Sequence, residues 1–222
     1  MYVVMFGGGE VAYYLSKEFI EGGHEVLIIE SDPKKRERLE EALGDITLGG
    51  NGCRIQCLEQ AGVSRADVFI AATDADEDNL AACQLAQIKY KVPRVLSKLN
   101  NPRNRNIFRK LGIENTIDVA ALILENMKAQ IPAFPLVRLS ELEGEDLEVV
   151  QVRVTEDSGL GGHALGETRV AFLADASCLA RPGETPRGAD ASTYLEEGDS
   201  LICVVAHDML GRLTSELAGR SD

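Results

Sequence analysis

The sequence predicts an α/β protein: a doubly wound parallel sheet, followed by a smaller strand-rich α+β domain. Three observations carry that prediction. Apolar runs and helical segments alternate, with short connections, through the first two-thirds of the 222 residues. A glycine-rich turn joins the first apolar run to the first helical pattern, and the second run ends on Glu30, 23 positions after the first glycine of that turn.

The elements follow in order. Tyr2 to Phe6 is a strand that enters Gly7-Gly8-Gly9 and continues as a helix from Glu10 to Glu21, stopped by Gly22-Gly23. Gly7 permits the sharp turn, Gly9 lets backbone approach a pyrophosphate, and the small Ala12 allows close helix-to-strand packing, a Rossmann-like arrangement. The helix start, with unpaired N–H groups and a positive dipole end, is an anion site without a basic side chain. A second strand, Glu25 to Ile29, leads to Glu30. A carboxylate there either accepts ribose hydroxyls or simply ends a strand in solvent. In the first role it repels a 2′-phosphate, favouring NAD(H) or an adenine nucleotide over NADP(H).

Asp32-Pro33 starts a second helix, whose charged stretch Lys34 to Glu41 is expected to be a solvated face. Further strands are expected near Ile46, Val68, Arg94 and Asn115, with helices over Asp76 to Tyr90 and Pro102 to Leu111. Asn51, Cys53 and Ala72-Thr73-Asp74 then fall after strands three and four, on the carboxyl edge of the sheet where ligands sit in such folds. Val119 to Ile131 is apolar on more than one face, and reads either as a dimer element packed on a second subunit or as an ordinary intrachain helix. Pro132 to Gly144 breaks the alternation. The expected organisation is a nucleotide-binding domain over 1–132, a linker over 133–145 and a regulatory domain over 146–222. In the last, Leu147 to Val154 alternates as a strand, Gly159 to Gly166 is glycine-rich, and Glu197-Gly198-Asp199 turns into a strand at Leu201 to Val205.

The formal charge is −13, unevenly spread: residues 1–132 carry 16 basic against 19 acidic side chains, and residues 133–222 carry 7 against 17. That acidity argues against nucleic-acid binding. Five cysteines, an odd number without a CxxC pair, suit a reducing compartment. Cys53 and Cys57 read as small buried hydrophobes rather than metal ligands, since no His pair lies nearby. No stretch reaches membrane-span length, and the chain opens directly on a strand without a cationic, apolar leader, so a cytoplasmic location is expected.

Several short motifs together resemble one family, the cytoplasmic regulatory subunits of Trk and Ktr type potassium-uptake systems, built from domains that regulate potassium conductance. They are the glycine turn, Gly23-His24-Glu25-Val26, Gly50-Asn51-Gly52-Cys53, Ala72-Thr73 with Asp76-Glu77 and Asn79-Leu80, and Leu99-Asn100-Asn101-Pro102. In the C-terminal part, Ser158, Leu160, Gly162, Leu165 and Glu167, and later Leu195 with Gly198-Asp199, resemble the family's second-domain pattern. The resemblance implies a nucleotide-sensing subunit that gates a potassium-translocating membrane partner from the cytoplasmic face. It implies homodimers assembled into a ring, and a second domain open to a further ligand of unknown identity. Carried over to this chain, the cofactor contacts are Gly7, Gly8, Gly9, Glu10, Val11, Glu30, Ser31, Asn51, Gly52, Cys53, Ala72, Thr73, Asp74 and Asn79.

The chain departs from the family's pattern at three positions. Glu10 stands where the family often has Arg or Gln, which disfavours ATP and favours AMP, ADP or NAD(H); Asn51 stands where Asp is common, and Ala12 replaces the third glycine. A rival reading is an NAD-dependent oxidoreductase, for which Tyr13 and Lys17 have the Tyr-x-x-x-Lys spacing, but on the helix beside the phosphate turn rather than where a nicotinamide sits. A third is a nucleotide-binding regulator of some other transporter. The sequence is read as a regulator and not as an enzyme.

Overall fold

Strand β1 (Tyr2–Phe6) is buried along its whole length, as a central strand covered on both faces must be. The computed structural model describes residues 1–129, 131, 134–142 and 146–217. They divide into two compact units, Met1–Leu122 and Ile123–Asp222.

In the first unit β1 is followed by α1 (Glu10–Glu21), β2 (Glu25–Glu30), α2 (Pro33–Leu43), β3 (Thr47–Gly49), α3 (Ile55–Gln60), β4 (Val68–Ala71), α4 (Asp76–Gln84), β5 (Arg94–Leu99), α5 (Arg105–Lys110) and β6 (Thr116–Asp118). All pairings are parallel, in the order β3-β2-β1-β4-β5-β6. This is the doubly wound order, with its switch point between β1 and β4. The period-2 alternation of the strands sorts their side chains onto two faces. Val4, Phe6, Ile29, Phe69 and Ala71 enter one core with Leu58, Ala82 and Phe108, while Val3, Met5, Ile28, Val68 and Ile70 enter the other with Ala12 and Leu39. Ala12 is fully buried, the close helix packing that a small residue allows.

Local chemistry ends the helices where the sequence indicates. Asp32 caps α2 by accepting the Lys34 N–H at 2.8 Å, with Pro33 at the first helical position. The expected helix over Asp76 to Tyr90 is α4 followed by a wider π-type turn, Leu85–Lys89, closed by Tyr90 N–H to the Leu85 carbonyl at 3.2 Å.

Helix α6 (Val119–Ala129) follows β6 directly, and the division between the units falls within it. The second unit continues with β7 (Leu136–Glu141), β8 (Leu147–Arg153), α7 (Val170–Leu173), β9 (Asp175–Ala180), β10 (Arg187–Gly188), β11 (Ser200–Ala206) and α8 (Leu210–Leu217). Its sheet is antiparallel, ordered β10-β9-β11-β8-β7. Val150, Val152, Leu201, Cys203 and Leu213 lie in its core. One element corrects the sequence reading: residues 136–141, expected in the linker, form edge strand β7, paired along β8 with a register shift between Arg138 and Ser140. The flanking prolines, Pro132 and Pro135, hide a short strand whose pattern the bulge also interrupts. Residues 133 and 143–145 of the expected linker, and residue 132 before it, lie outside the described residues.

Candidate nucleotide site

Three strand ends converge at the switch point. Gly7, at φ +102°, takes the chain off β1; its N–H bonds the Ile29 carbonyl at 2.9 Å, and a Cβ there would lie 2.9 Å from the Thr73 backbone nitrogen. Only glycine meets both the dihedral and the approach. Gly9 precedes α1 in an extended conformation with open space where a Cβ would stand, so its backbone faces the cleft. At Gly8 a Cβ would meet Leu39 Cδ1 at 2.9 Å and Glu30 Cγ at 3.0 Å, a requirement for glycine that comes from the fold rather than from a ligand.

Glu30 is buried at the end of β2. Its Oε2 accepts the Gly8 N–H at 2.6 Å, and its Oε1 accepts the Asp32 N–H at 2.8 Å and the Ser31 hydroxyl at 3.3 Å. The carboxylate therefore fastens the glycine turn to the start of α2. Each oxygen has two lone pairs, so capacity remains for a further donor such as a ribose hydroxyl.

Across the cleft, Thr73 is fixed from behind. Asn79, fully buried, accepts the Thr73 N–H at 2.9 Å and its hydroxyl at 2.7 Å, and donates its amide to the Thr73 and Lys98 carbonyls, both at 3.1 Å. Asp76, also buried, accepts the Asn100 N–H at 2.7 Å, the Asn101 N–H at 3.0 Å, and the side-chain amides of Asn100 and Asn104 at 2.9 and 2.8 Å. Burial raises the Asp76 carboxyl, but these donors outweigh it and hold the group below the usual range.

The result is a cleft of about 730 Å³, within the size range of small-molecule sites. Of the residues expected from sequence, Gly7, Gly8, Gly9, Glu10, Val11, Glu30, Ser31, Asn51, Ala72, Thr73 and Asp74 line it together. Three do not. Gly52 packs against the Phe6 ring, which a Cβ would approach to 2.5 Å; Cys53 directs its thiol to the Asp78 carbonyl at 3.4 Å; Asn79 lies behind Thr73. Burial, with Asp78 beside it, pushes the Cys53 thiol up to about 11, so it is no nucleophile at neutral pH.

Sequence reasoning missed three cations. Lys35 and Arg38, three apart on α2, are exposed, as the reading of Lys34 to Glu41 as a solvated face has it, and they also line the cleft. Lys98, near the end of β5, lines it too and meets Asp74 at 2.8 Å. The i,i+3 spacing after an acid-ended strand was the available signal for the first two. The second unit has a separate depression of about 550 Å³, whose charged lining groups among the described residues are Asp175 and Asp190.

Residues 3–119 match the family model described as the TrkA-N domain. The chain belongs to the TrkA family. Among TrkA relatives, it is 36% identical over 152 residues to the Trk system potassium uptake protein TrkA homolog of Methanothermobacter thermautotrophicus, covering 67% of this chain and 70% of that protein. It is 27% identical over 217 residues to the Trk system potassium uptake protein TrkA of Mycobacterium tuberculosis, covering 96% and 98% respectively. Among solved structures, the GsuK channel bound to NAD superposes with a TM-score of 0.66 at 16% identity, over 100% of this chain and 40% of that one. The Shewanella denitrificans Kef C-terminal domain in AMP-bound form gives 0.51 at 19% identity, over 59% of this chain and 79% of that one. At these identities the likeness is one of fold, and this TrkA-family chain spans two-fifths of the GsuK chain. Among the described residues no helix is long and apolar enough to cross a membrane.

Proposed function

We propose that this TrkA-family chain is a nucleotide-sensing regulatory subunit that gates a potassium-translocating membrane partner. It works from the cytoplasmic face and binds an adenine nucleotide (AMP or ADP) or NAD(H) without consuming it. The observation that carries this reading is the convergence of the Gly7–Gly9 turn, the α1 start and Glu30 on one cleft at the β1/β4 switch point. Relatives named as potassium uptake proteins supply the transport context.

The physical basis of gating is linkage: a nucleotide that binds one arrangement of an assembly better than another shifts the population toward it. The assembly in this reading is a homodimer built into a ring. The side chains of Leu122, Ile123, Leu124 and Met127 on α6 are all more than half exposed, an apolar surface that a second copy would cover. The domain boundary at 132 belongs to the same reading; the one at 146 does not, because β7 pairs along β8.

Calorimetric titration of the purified chain with AMP, ADP, ATP, NAD+ and NADH, with mass by light scattering on the same samples, tests it. Micromolar binding of one nucleotide, with a shift in assembly and no turnover, is expected. No binding by any of the five removes the nucleotide from the proposal, and turnover of NADH with simple carbonyl substrates returns the oxidoreductase reading.

A further inference from the structure

Strand order fixes the direction in which a ligand runs along the cleft. A nucleotide whose ribose meets Glu30 after β2, and whose first phosphate meets the glycine turn after β1, continues past Thr73 and Asp74 after β4 and then reaches Lys98 on β5. Lys98 therefore stands beside whatever lies beyond the first phosphate.

Its side chain is mostly covered, at 16% exposure, and its Nζ meets Asp74 Oδ1 at 2.8 Å, whereas the Asp74 side chain is 89% exposed. The rest of that loop is pinned. Thr73 is held by Asn79 and by the Asn100 amide, which donates to the Thr73 carbonyl at 3.1 Å. The Asp74 carboxylate can thus swing into solvent without breaking a buried bond, while Lys98 has little freedom to leave.

We propose that Asp74 is a built-in competitor for Lys98: the second phosphate of a nucleotide displaces it, and the Asp74–Lys98 pair sets the selection between diphosphate and monophosphate nucleotides. A monophosphate leaves the pair intact. A diphosphate must separate it before Lys98 becomes available, so the pair holds diphosphate affinity below what an unopposed lysine would give. The hydrogen bond and charge of Lys98, and more weakly the charge of Lys35, hold the Asp74 carboxyl below its usual range while the pair is intact, and Lys35 is a second cation within electrostatic reach of Asp74.

This inference rests on the nucleotide reading above. The test is calorimetry of the full chain with AMP and with ADP, for wild type, Asp74→Asn, Lys98→Gln and the double variant. Asp74→Asn alters no buried group, so it remains informative even if Lys98→Gln folds poorly. It is expected to tighten ADP by on the order of tenfold, the scale of a close charge pair, with AMP held within about twofold. Lys98→Gln weakens ADP selectively, and adding Asp74→Asn to it changes nothing further. An ADP-to-AMP ratio unchanged by Asp74→Asn overturns the competitor role, as does an equal shift of both ligands. Absence of AMP and ADP binding in wild type overturns this inference, and the nucleotide reading falls with it only when ATP, NAD+ and NADH also fail to bind.

Discussion

Gly8 donates its backbone N–H to Glu30 Oε2 at 2.6 Å, across 22 residues of sequence. The same carboxylate accepts the Asp32 N–H at 2.8 Å, so one side chain joins the glycine turn, the end of β2 and the start of α2. Any ligand contact made by Glu30 is made by a group whose position the backbone has already set, which lowers the entropy cost of binding.

Replacing Glu30 by Ala is expected to weaken adenine-nucleotide binding by ~1–3 kcal/mol, the range for a buried hydrogen bond that loses its acceptor. The thermal midpoint falls as well, because two backbone donors are orphaned. Glu30→Gln keeps one carbonyl acceptor and lies between. Calorimetry paired with a melting curve checks this; nucleotide affinity unchanged in the alanine variant takes Glu30 out of the site.

Glu10 stands in the first turn of α1, where its charge favours the helix and opposes a terminal phosphate. Glu10→Arg is expected to raise the affinity for ATP relative to AMP by on the order of tenfold, at a cost to the helix of about 0.3–1 kcal/mol. A constant ratio across the two proteins means that Glu10 points away from the phosphates.

Gly7 tests the turn itself. Alanine there is strained at φ +102° and places Cβ 2.9 Å from the Thr73 nitrogen. Gly7→Ala is expected to cost on the order of 2 kcal/mol of stability, and to lower nucleotide affinity because Thr73 has to move. Chemical denaturation reads the first effect and titration the second. A variant as stable as wild type contradicts the close approach.

In the second unit Asp199 is fully buried, paired with Arg181 through Nε at 2.8 Å and Nη2 at 2.9 Å. Hydrogen bonding to Arg181 outweighs burial and holds the Asp199 carboxyl below its usual range. A lowered folded-state pKa contributes stability that is present above the unfolded-state pKa, about 3.9, and is lost as pH falls through the folded-state value. Asp199→Asn is therefore expected to lower the neutral-pH melting midpoint by on the order of 5 °C or more, and to flatten the acid limb of the stability profile. An acid limb of unchanged slope excludes the pair as its source.

The legible parts of the fold were those written in consecutive residues. Tyr2 to Phe6, the glycine turn and the spacing to Glu30 give the strand, turn and acid without reference to anything distant. Strand β7 was not legible, because its six residues follow two prolines, carry a bulge and take their pairing from β8. The cleft shows the same division. Its floor came from the turn and Glu30, whereas Lys98 enters from β5, which no local pattern records, and Lys35 and Arg38 enter from α2, where their i,i+3 spacing is the local trace. Asn79 was found as part of a motif, but its role, holding Thr73 from behind, depends on the Lys98 carbonyl 19 residues away. The turn at Gly198-Asp199 was read correctly as a turn, and the burial of its acid depends on Arg181, 18 residues earlier.

The four donors that converge on Asp76 have a mechanical meaning. They come from Asn100, Asn101 and Asn104, so the loop after β5 is riveted to the head of α4 by one ionised group. Asn100 also donates to the Thr73 carbonyl, so the loops that follow β4 and β5 share one anchor at the first turn of α4.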